Sequence, residues 1–221
     1  MERNREITVK GIGNLKVPVD YVEVHLTLEE LDKDYENGYE NFTKKLMKLQ
    51  KCILPIGFEM SDLKMRELLV APKYDSVRKN DGYAEVFKGY NFATEMKLSF
   101  DFDSKKLGKV ISEISATKVN PIIKVEFTVK DKEAVKNNLL AAAAKDAKAK
   151  ASILCDAMDV KLGQLLTINY NWDEVTIYSG ARYEMARYNL CECSDEMTCA
   201  DFTPDDISVN DDACFVWAID G

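Results

Sequence analysis

The segment that most constrains the fold is an alanine-rich stretch at residues 133–165. Glycine and proline are absent between residues 135 and 159, and alanine has the highest helix propensity, so the sequence predicts one long, uninterrupted helix. One face of this helix carries small and apolar side chains at three- and four-residue steps. These are Leu140, Ala144, Ala147, Ala151, Leu154 and Met158. Because alanine permits a close approach to a neighbouring layer, we predict that the helix covers a sheet.

Strands are indicated by apolar and polar residues that alternate around residues 22–29, 85–102 and 123–130. This two-residue period is typical of a strand with one buried face. A shorter strand is predicted at residues 7–9, further strands are predicted at residues 63–70, 166–172 and 207–219, and a polar loop at residues 72–82 predicts a hairpin. Two further helices are expected after Asp34 and Ser104, because aspartate and serine are favourable N-cap residues.

The predicted order is strand, strand, helix, strand, strand, helix, strand, helix, strand, strand. Strands that follow strands directly favour antiparallel pairing. We therefore predict an α+β fold with a mixed, largely antiparallel sheet or sheets and three helices packed on one face. The whole chain, residues 1–221, is expected to form one domain. An irregular, acidic, cysteine-containing segment at about residues 173–206 precedes the final strand.

The charge distribution argues against nucleic acid as a partner. The chain has a net charge of -8, and residues 188–221 contain nine acidic and no basic residues, which leaves +1 for the rest. A near-neutral body with an acidic end offers no basic surface to phosphates, and we expect that end to be a solvated loop. No apolar stretch reaches the roughly 18 residues of a membrane span, and the first six residues do not resemble a signal peptide. We expect a cytoplasmic protein with reduced thiols.

Three segments carry a family resemblance. Residues 7–13 and 17–24 read ITVKGIG and VPVDYVEV, residues 89–100 are followed by the strand that contains Phe127, and four alanines at residues 141–144 lead to Leu162-Gly163. In this order the segments resemble the SIMPL domain family, and the resemblance covers almost the whole chain. That family includes bacterial periplasmic immunogenic and oxidative-stress-defence proteins and an animal protein associated with a pelle-like kinase. The resemblance implies an α+β fold, homo-oligomeric assembly as in some bacterial members and a link to stress response.

Two features near the start of the chain could suggest chemistry. Gly11 and Gly13 follow a strand, as in a dinucleotide-binding loop, but the third glycine and the following helix are missing. We interpret them as part of a turn or bulge. His25 is the single histidine and lies on the polar side of its strand beside Glu23 and Thr27. We expect it to be an unpaired surface side chain rather than a general base.

Four cysteines near the end of the chain could provide the thiolates of a structural zinc site or a redox centre. They are Cys191, Cys193, Cys199 and Cys214. Their spacing lacks the usual pairs, and the nearby acids disfavour thiolates, so ordinary reduced thiols are the simpler interpretation. Cys52 and Cys155 are expected in the core. The aspartate pairs at 205–206 and 211–212 lack the glycine and glutamate of an EF-hand, which indicates a solvated acidic turn.

The functional hypothesis follows from the resemblance and from the absence of a catalytic pattern. We predict no catalytic residues and no cofactor. The leading hypothesis is a non-enzymatic protein of the SIMPL type that acts through homo-oligomeric assembly or by binding a protein partner. The alternative is a thiol-based metal-binding or redox module that uses the four cysteines near the end of the chain.

Overall fold

The computed structural model describes residues 5–79, 82–170, 175–185 and 202–220. These residues form two antiparallel sheets and three α-helices, which confirms the α+β prediction. The strands are β1 (Glu6–Val17), β2 (Tyr21–Asp32), β3 (Lys64–Lys79), β4 (Gly82–Asp101), β5 (Ile122–Thr128), β6 (Lys161–Tyr170), β7 (Arg182–Met185) and β8 (Ile207–Asp220). The helices are α1 (Tyr35–Cys52), α2 (Ser104–Ala116) and α3 (Lys132–Ala157). No helix in this part of the chain is long and apolar enough to cross a membrane.

The chain divides into two compact units. Unit 1 contains Met1–Val19, Thr128–Gly180 and Asp205–Gly221, and unit 2 contains Asp20–Phe127 and Ala181–Pro204. Unit 1 has the three-stranded sheet β1-β8-β6 with α3. Unit 2 has the five-stranded sheet β3-β4-β2-β5-β7 with α1 and α2.

In unit 1, two glycines of β1 bring α3 close to the sheet. A Cβ atom on Gly11 would lie 2.1 Å from the carbonyl oxygen of Ala143, and one on Gly13 would lie 2.2 Å from that of Leu139. The interpretation of these glycines as a turn or bulge is wrong, because β1 pairs with β8 without interruption. The glycines instead allow two backbones to approach each other.

The buried face of α3 differs from the predicted one. It contains every fourth residue, namely Val135, Leu139, Ala143, Ala147, Ala151 and Cys155. Ala147 and Ala151 pack against Val9, Phe215 and Trp217, as a sheet-covering helix requires. The exposed fractions of Leu154 and Met158 are 49% and 73%, so their predicted burial is wrong. A row at four-residue steps is inclined to the helix axis, and a helix that crosses a strand obliquely buries such a row.

The final strand is confirmed as β8, but the acidic residues within it are not in a turn. Asp211 and Asp212 lie inside β8, the central strand of its sheet, which contradicts the predicted acidic turn at this pair. The hydroxyl of Tyr170 donates to Asp211 Oδ2 at 2.8 Å, and Lys10 Nζ lies 3.0 Å from Asp212 Oδ1. Neighbouring strands therefore provide partners for both carboxylates.

In unit 2, the order β2-α1-β3-β4-α2-β5 forms a split βαβ arrangement in which β2 and β4 are central. Asp34 caps α1 as predicted, since its side chain accepts a hydrogen bond from the Asn37 amide. The cap of α2 is Asp103 rather than Ser104, which is the first helical residue. Both helices cover the same side of β4: Phe42 of α1 contacts Phe92, and Lys106 of α2 lies over the ring of Phe100. The opposite side of this sheet is polar, and we call it the polar face.

The hairpin is longer than predicted. The prediction of a polar loop at residues 72–82 is wrong, because β3 continues to Lys79 and β4 begins at Gly82. Pro72 is compatible with this strand because β3 lies at the edge of the sheet, the position in which proline is tolerated within sheets. β2 pairs with β4 only from Tyr90 to Asp101. Residues 73–79 of β3 and 82–89 of β4 lie outside this pairing and form a two-stranded extension.

Candidate functional site

The two-stranded extension carries an aromatic surface that begins at a β-bulge. Lys73 pairs with Gly89 and Tyr74 pairs with Phe87, so Lys88 is an extra residue in β4. Gly89 has φ +148, and a Cβ there would lie 2.3 Å from the carbonyl oxygen of Asp32. The extra residue reverses the alternation of β4 and brings the ring of Phe87 within 5.3 Å of the Tyr90 ring.

The aromatic surface consists of Tyr35, Tyr39, Tyr74, Phe87 and Tyr90. The ring centroids of Tyr74 and Phe87 are 5.6 Å apart, and those of Tyr35 and Tyr90 are 5.4 Å apart, both in edge-to-face geometry. The exposed fractions of Tyr74 and Phe87 are nevertheless 53% and 41%. These rings support one another while they present a large apolar area to the surroundings.

The other side of the extension is apolar as well. Val86 is next to Phe87 in β4, and Val77 is three residues after Tyr74 in β3. Because side chains alternate along a strand, both valines face away from the aromatic surface, and both are exposed. Tyr83 near the tip is exposed too, although alternation places it on the same side as Phe87. β2 does not continue the sheet beside this part of β4, because the pairing of β2 with β4 ends at Tyr90. The extension therefore exposes apolar side chains on both of its faces.

The polar face carries a second group, the carboxylate–histidine cluster, which contains Glu23, His25, Glu95 and Glu126. Alternation places Glu23 and His25 on the same side of β2, and the neighbouring strands β4 and β5 contribute Glu95 and Glu126. His25 Nδ1 lies 3.3 Å from Glu95 Oε1. Its Nε2 atom lies 3.6 Å from Glu23 Oε2 and 3.4 Å from Glu126 Oε2.

Basic side chains surround this cluster. Lys97 Nζ lies 3.3 Å from Glu23 Oε1, and Lys124 Nζ lies 2.6 Å from Glu126 Oε1. The guanidinium of Arg66 lies 3.3 Å from Glu95 Oε1. Three cations therefore balance three carboxylates around the imidazole.

The interpretation of His25 as an unpaired surface side chain is wrong. Its position on the polar side of β2 is as predicted, but the side chain is only 11% exposed and faces three carboxylates. Glu95 and Glu126 are distant in sequence, so local alternation could not identify them as partners. The signal that could have found them is the shared polar parity of three neighbouring strands. Among the described residues, Glu23, His25 and Glu126 are the group whose donor atoms could hold a metal ion.

The cysteines do not form a comparable site in the described part of the chain. Cys191, Cys193 and Cys199 lie outside the described residues. Cys214 is half-buried in β8, and Cys155 is on the buried face of α3, in the core as predicted. Cys52 is half-buried at the end of α1, where burial first and the negative charge of Glu113 second raise its pKa to about 11. Such a thiol is protonated near neutral pH and is a poor nucleophile.

Comparison with known proteins places this antiparallel α+β architecture in a family. The chain belongs to the SIMPL family, described as a protein of unknown function (DUF541), whose model matches residues 7–213. The match includes residues of both units and confirms the resemblance seen in the sequence. No curated protein matches the chain.

Proposed function

We propose that this SIMPL-family protein acts without catalysis by binding protein chains, first of all other copies of itself, through the β3–β4 hairpin. The observation that carries the proposal is the two-stranded extension with exposed apolar side chains on both faces. A two-stranded ribbon is marginally stable in water on its own. Contact with another chain would bury these side chains and stabilise the extension.

The side-chain faces suit this contact better than the strand edge. The free edge of β3 carries Arg66, Pro72 and Lys73, and charged residues and proline oppose continuous pairing with another strand. Tyrosine and phenylalanine, in contrast, are enriched in protein interfaces. The aromatic surface is therefore the better candidate for the centre of the interface.

A second copy is the occupant that we favour. A two-fold interface places the same surface on both partners, so an apolar surface matches itself without complementary charges. The nearest charges in the extension also pair internally, since Lys88 Nζ lies 2.8 Å from Asp75 Oδ2. The resemblance to bacterial members that assemble supports the same choice.

The edge of β1 is a less suitable assembly surface. The Ile12 amide donates to Asp146 Oδ2 at 2.8 Å, and Lys150 Nζ lies 3.4 Å from the carbonyl oxygen of Lys10. Side chains of α3 thus engage backbone groups of this edge strand, which protects it from pairing with another chain.

Light scattering of the purified full chain at micromolar concentration tests the proposal. We expect the wild type to be an oligomer and the double variant Tyr74→Ser, Phe87→Ser to be a monomer, because the variant loses the centre of the apolar contact. The control is Ile153→Ser, which removes an even more exposed apolar side chain from α3. A monomeric wild type would refute self-assembly, and an oligomeric double variant would refute the role of the hairpin.

A cytoplasmic location and a link to stress response are additional proposals that rest on the sequence and the family resemblance. Fractionation of the source cells tests the first. Growth of cells that lack the protein, compared with wild-type cells under oxidant, tests the second. Recovery of the protein outside the cytoplasm, or unchanged growth under oxidant, would contradict these proposals.

A further inference from the structure

We infer that Glu23, His25 and Glu126 bind one divalent transition-metal ion, with Zn²⁺ as the reference ion, on the polar face of the five-stranded sheet. Nitrogen from imidazole and oxygen from carboxylates are ligands that zinc accepts in proteins. One donor atom from each residue lies within 4.8 Å of the other two. The inference rests on this geometry and does not depend on assembly through the hairpin.

The donor separations match coordination better than hydrogen bonding. The distances from His25 Nε2 to Glu126 Oε2 and Glu23 Oε2 are 3.4 and 3.6 Å, whereas N–H···O hydrogen bonds are about 2.9 Å long. Ligand bonds of about 2.0–2.2 Å in a tetrahedral zinc site place neighbouring donors about 3.3–3.6 Å apart. An ion that His25 Nε2 binds could therefore reach the Oε2 atom of either carboxylate at an ordinary ligand-bond length, and the two Oε2 atoms lie within 4.8 Å of each other.

The two carboxylates divide their oxygens between different roles. Oε1 of Glu23 pairs with Lys97, and Oε1 of Glu126 pairs with Lys124. The Oε2 atom of each carboxylate faces His25 Nε2. Before an ion binds, the ion pairs at Oε1 thus hold both carboxylates with Oε2 towards the imidazole.

Glu95 orients the imidazole from the other side. When the proton is on Nδ1, it points to Glu95 Oε1 at 3.3 Å, and Nε2 presents its lone pair between the two Oε2 atoms. A carboxylate that holds the second nitrogen of a histidine is the usual outer partner of a metal ligand. Within the described part of the chain, His25 Nε2 is buried and has no hydrogen-bond partner, which is costly for a polar atom and which a bound ion would relieve.

The two lysines should lower the affinity of the site for zinc. A divalent cation between Glu23 and Glu126 is repelled by the ammonium groups of Lys97 and Lys124. Their side chains are 33% and 44% exposed, so they can turn into water when the ion binds. We therefore expect Lys97→Gln to bind zinc more tightly than the wild type, although it removes an ion pair.

Calorimetric titration of the chelator-treated full chain with zinc tests the site. We expect one ion per chain, a loss of affinity of at least about 100-fold in His25→Gln, and a loss of about 10- to 100-fold in Glu95→Gln, as for outer partners of metal ligands. The matched control is Glu30→Gln, which removes a partly buried carboxylate of β2 that pairs with Lys45 outside the cluster. This control should bind zinc like the wild type.

A second measurement does not depend on the folding of the variants. The chain contains one histidine, so its ring nitrogens give a single pair of NMR signals, and zinc should shift the Nε2 signal of the wild type. An unchanged signal at saturating zinc would overturn the inference. So would wild-type affinity in folded His25→Gln, or binding that is lost only when Cys191, Cys193, Cys199 and Cys214 are all replaced by serine.

Discussion

Burial controls the reactivity of Cys52. The thiol donates to the carbonyl oxygen of Leu49, and its pKa of about 11 results mainly from desolvation of the thiolate. Alkylation requires the thiolate. At pH 8.5 we expect Cys52 to react with iodoacetamide about 100-fold more slowly in the native protein than in urea, where the pKa returns to about 8.5. Mass spectrometry of the Cys52 peptide measures both rates.

The alkylation rate of Cys52 should depend on pH in a direction set by its raised pKa. Because the pKa is raised in the folded state, the native rate should increase as pH rises towards about 11. The matched variant is Glu113→Gln, which removes the second cause of the shift and should accelerate labelling only in part, since burial stays. Equal native and denatured rates at pH 8.5 would mean that the thiol is accessible and ordinary.

His25 shows what single residues reveal before the structure is known. The alternation of β2 was sufficient to place its side chain on the polar side. Its environment depends on Glu95 and Glu126, which reach it through the pairing of strands that are distant in the chain. Strand order is a property of the whole sheet, so no local pattern around His25 contains it.

At the scale of elements, the contact between β1 and α3 depends on Gly11. A Cβ at this position would meet the carbonyl oxygen of Ala143 at 2.1 Å and the Cβ of Ala147 at 2.7 Å. Since the nearest atom belongs to the helix backbone, a side chain cannot simply turn away. We expect Gly11→Ala to lower the free energy of unfolding by about 1–3 kcal/mol, the usual cost of overpacking. Urea denaturation measures this change.

Gly180→Ala is the control for this measurement. A Cβ at Gly180 would find no other atom within 4 Å, so this variant should be as stable as the wild type or slightly more stable, because alanine restricts the unfolded chain. If Gly11→Ala were also neutral, α3 would not lie as close to β1 as the contact requires.

The elements with a clear buried face were predictable, and the others were not. The final strand and the start of α1 followed from alternation and from Asp34, because both signals are local. Residues 72–79 were assigned to a loop because their strand has no buried face and so lacks alternation. The prediction of the buried face of α3 was wrong because the residues of α3 that face the sheet depend on the glycines of β1, which are distant in sequence.

At the scale of the whole molecule, net charge should control association. Each copy carries -8, so two copies repel each other before their apolar surfaces meet. Some of the acidic residues at the end of the chain have local partners, as Asp212 has in Lys10, but these pairs do not remove the excess negative charge. The aromatic surface itself is uncharged, so its contact does not weaken when salt is added.

Charge repulsion between copies and an uncharged aromatic contact together predict that salt promotes assembly. Raising ionic strength from about 0.01 M to about 0.15 M shortens the Debye length from about 30 Å to about 8 Å, which screens the repulsion between copies. Light scattering should therefore show more oligomer at the higher salt concentration, while Tyr74→Ser, Phe87→Ser stays monomeric at both. An oligomer that dissociates as salt rises would show that attraction between opposite charges, rather than apolar contact against a repulsive background, holds the copies together.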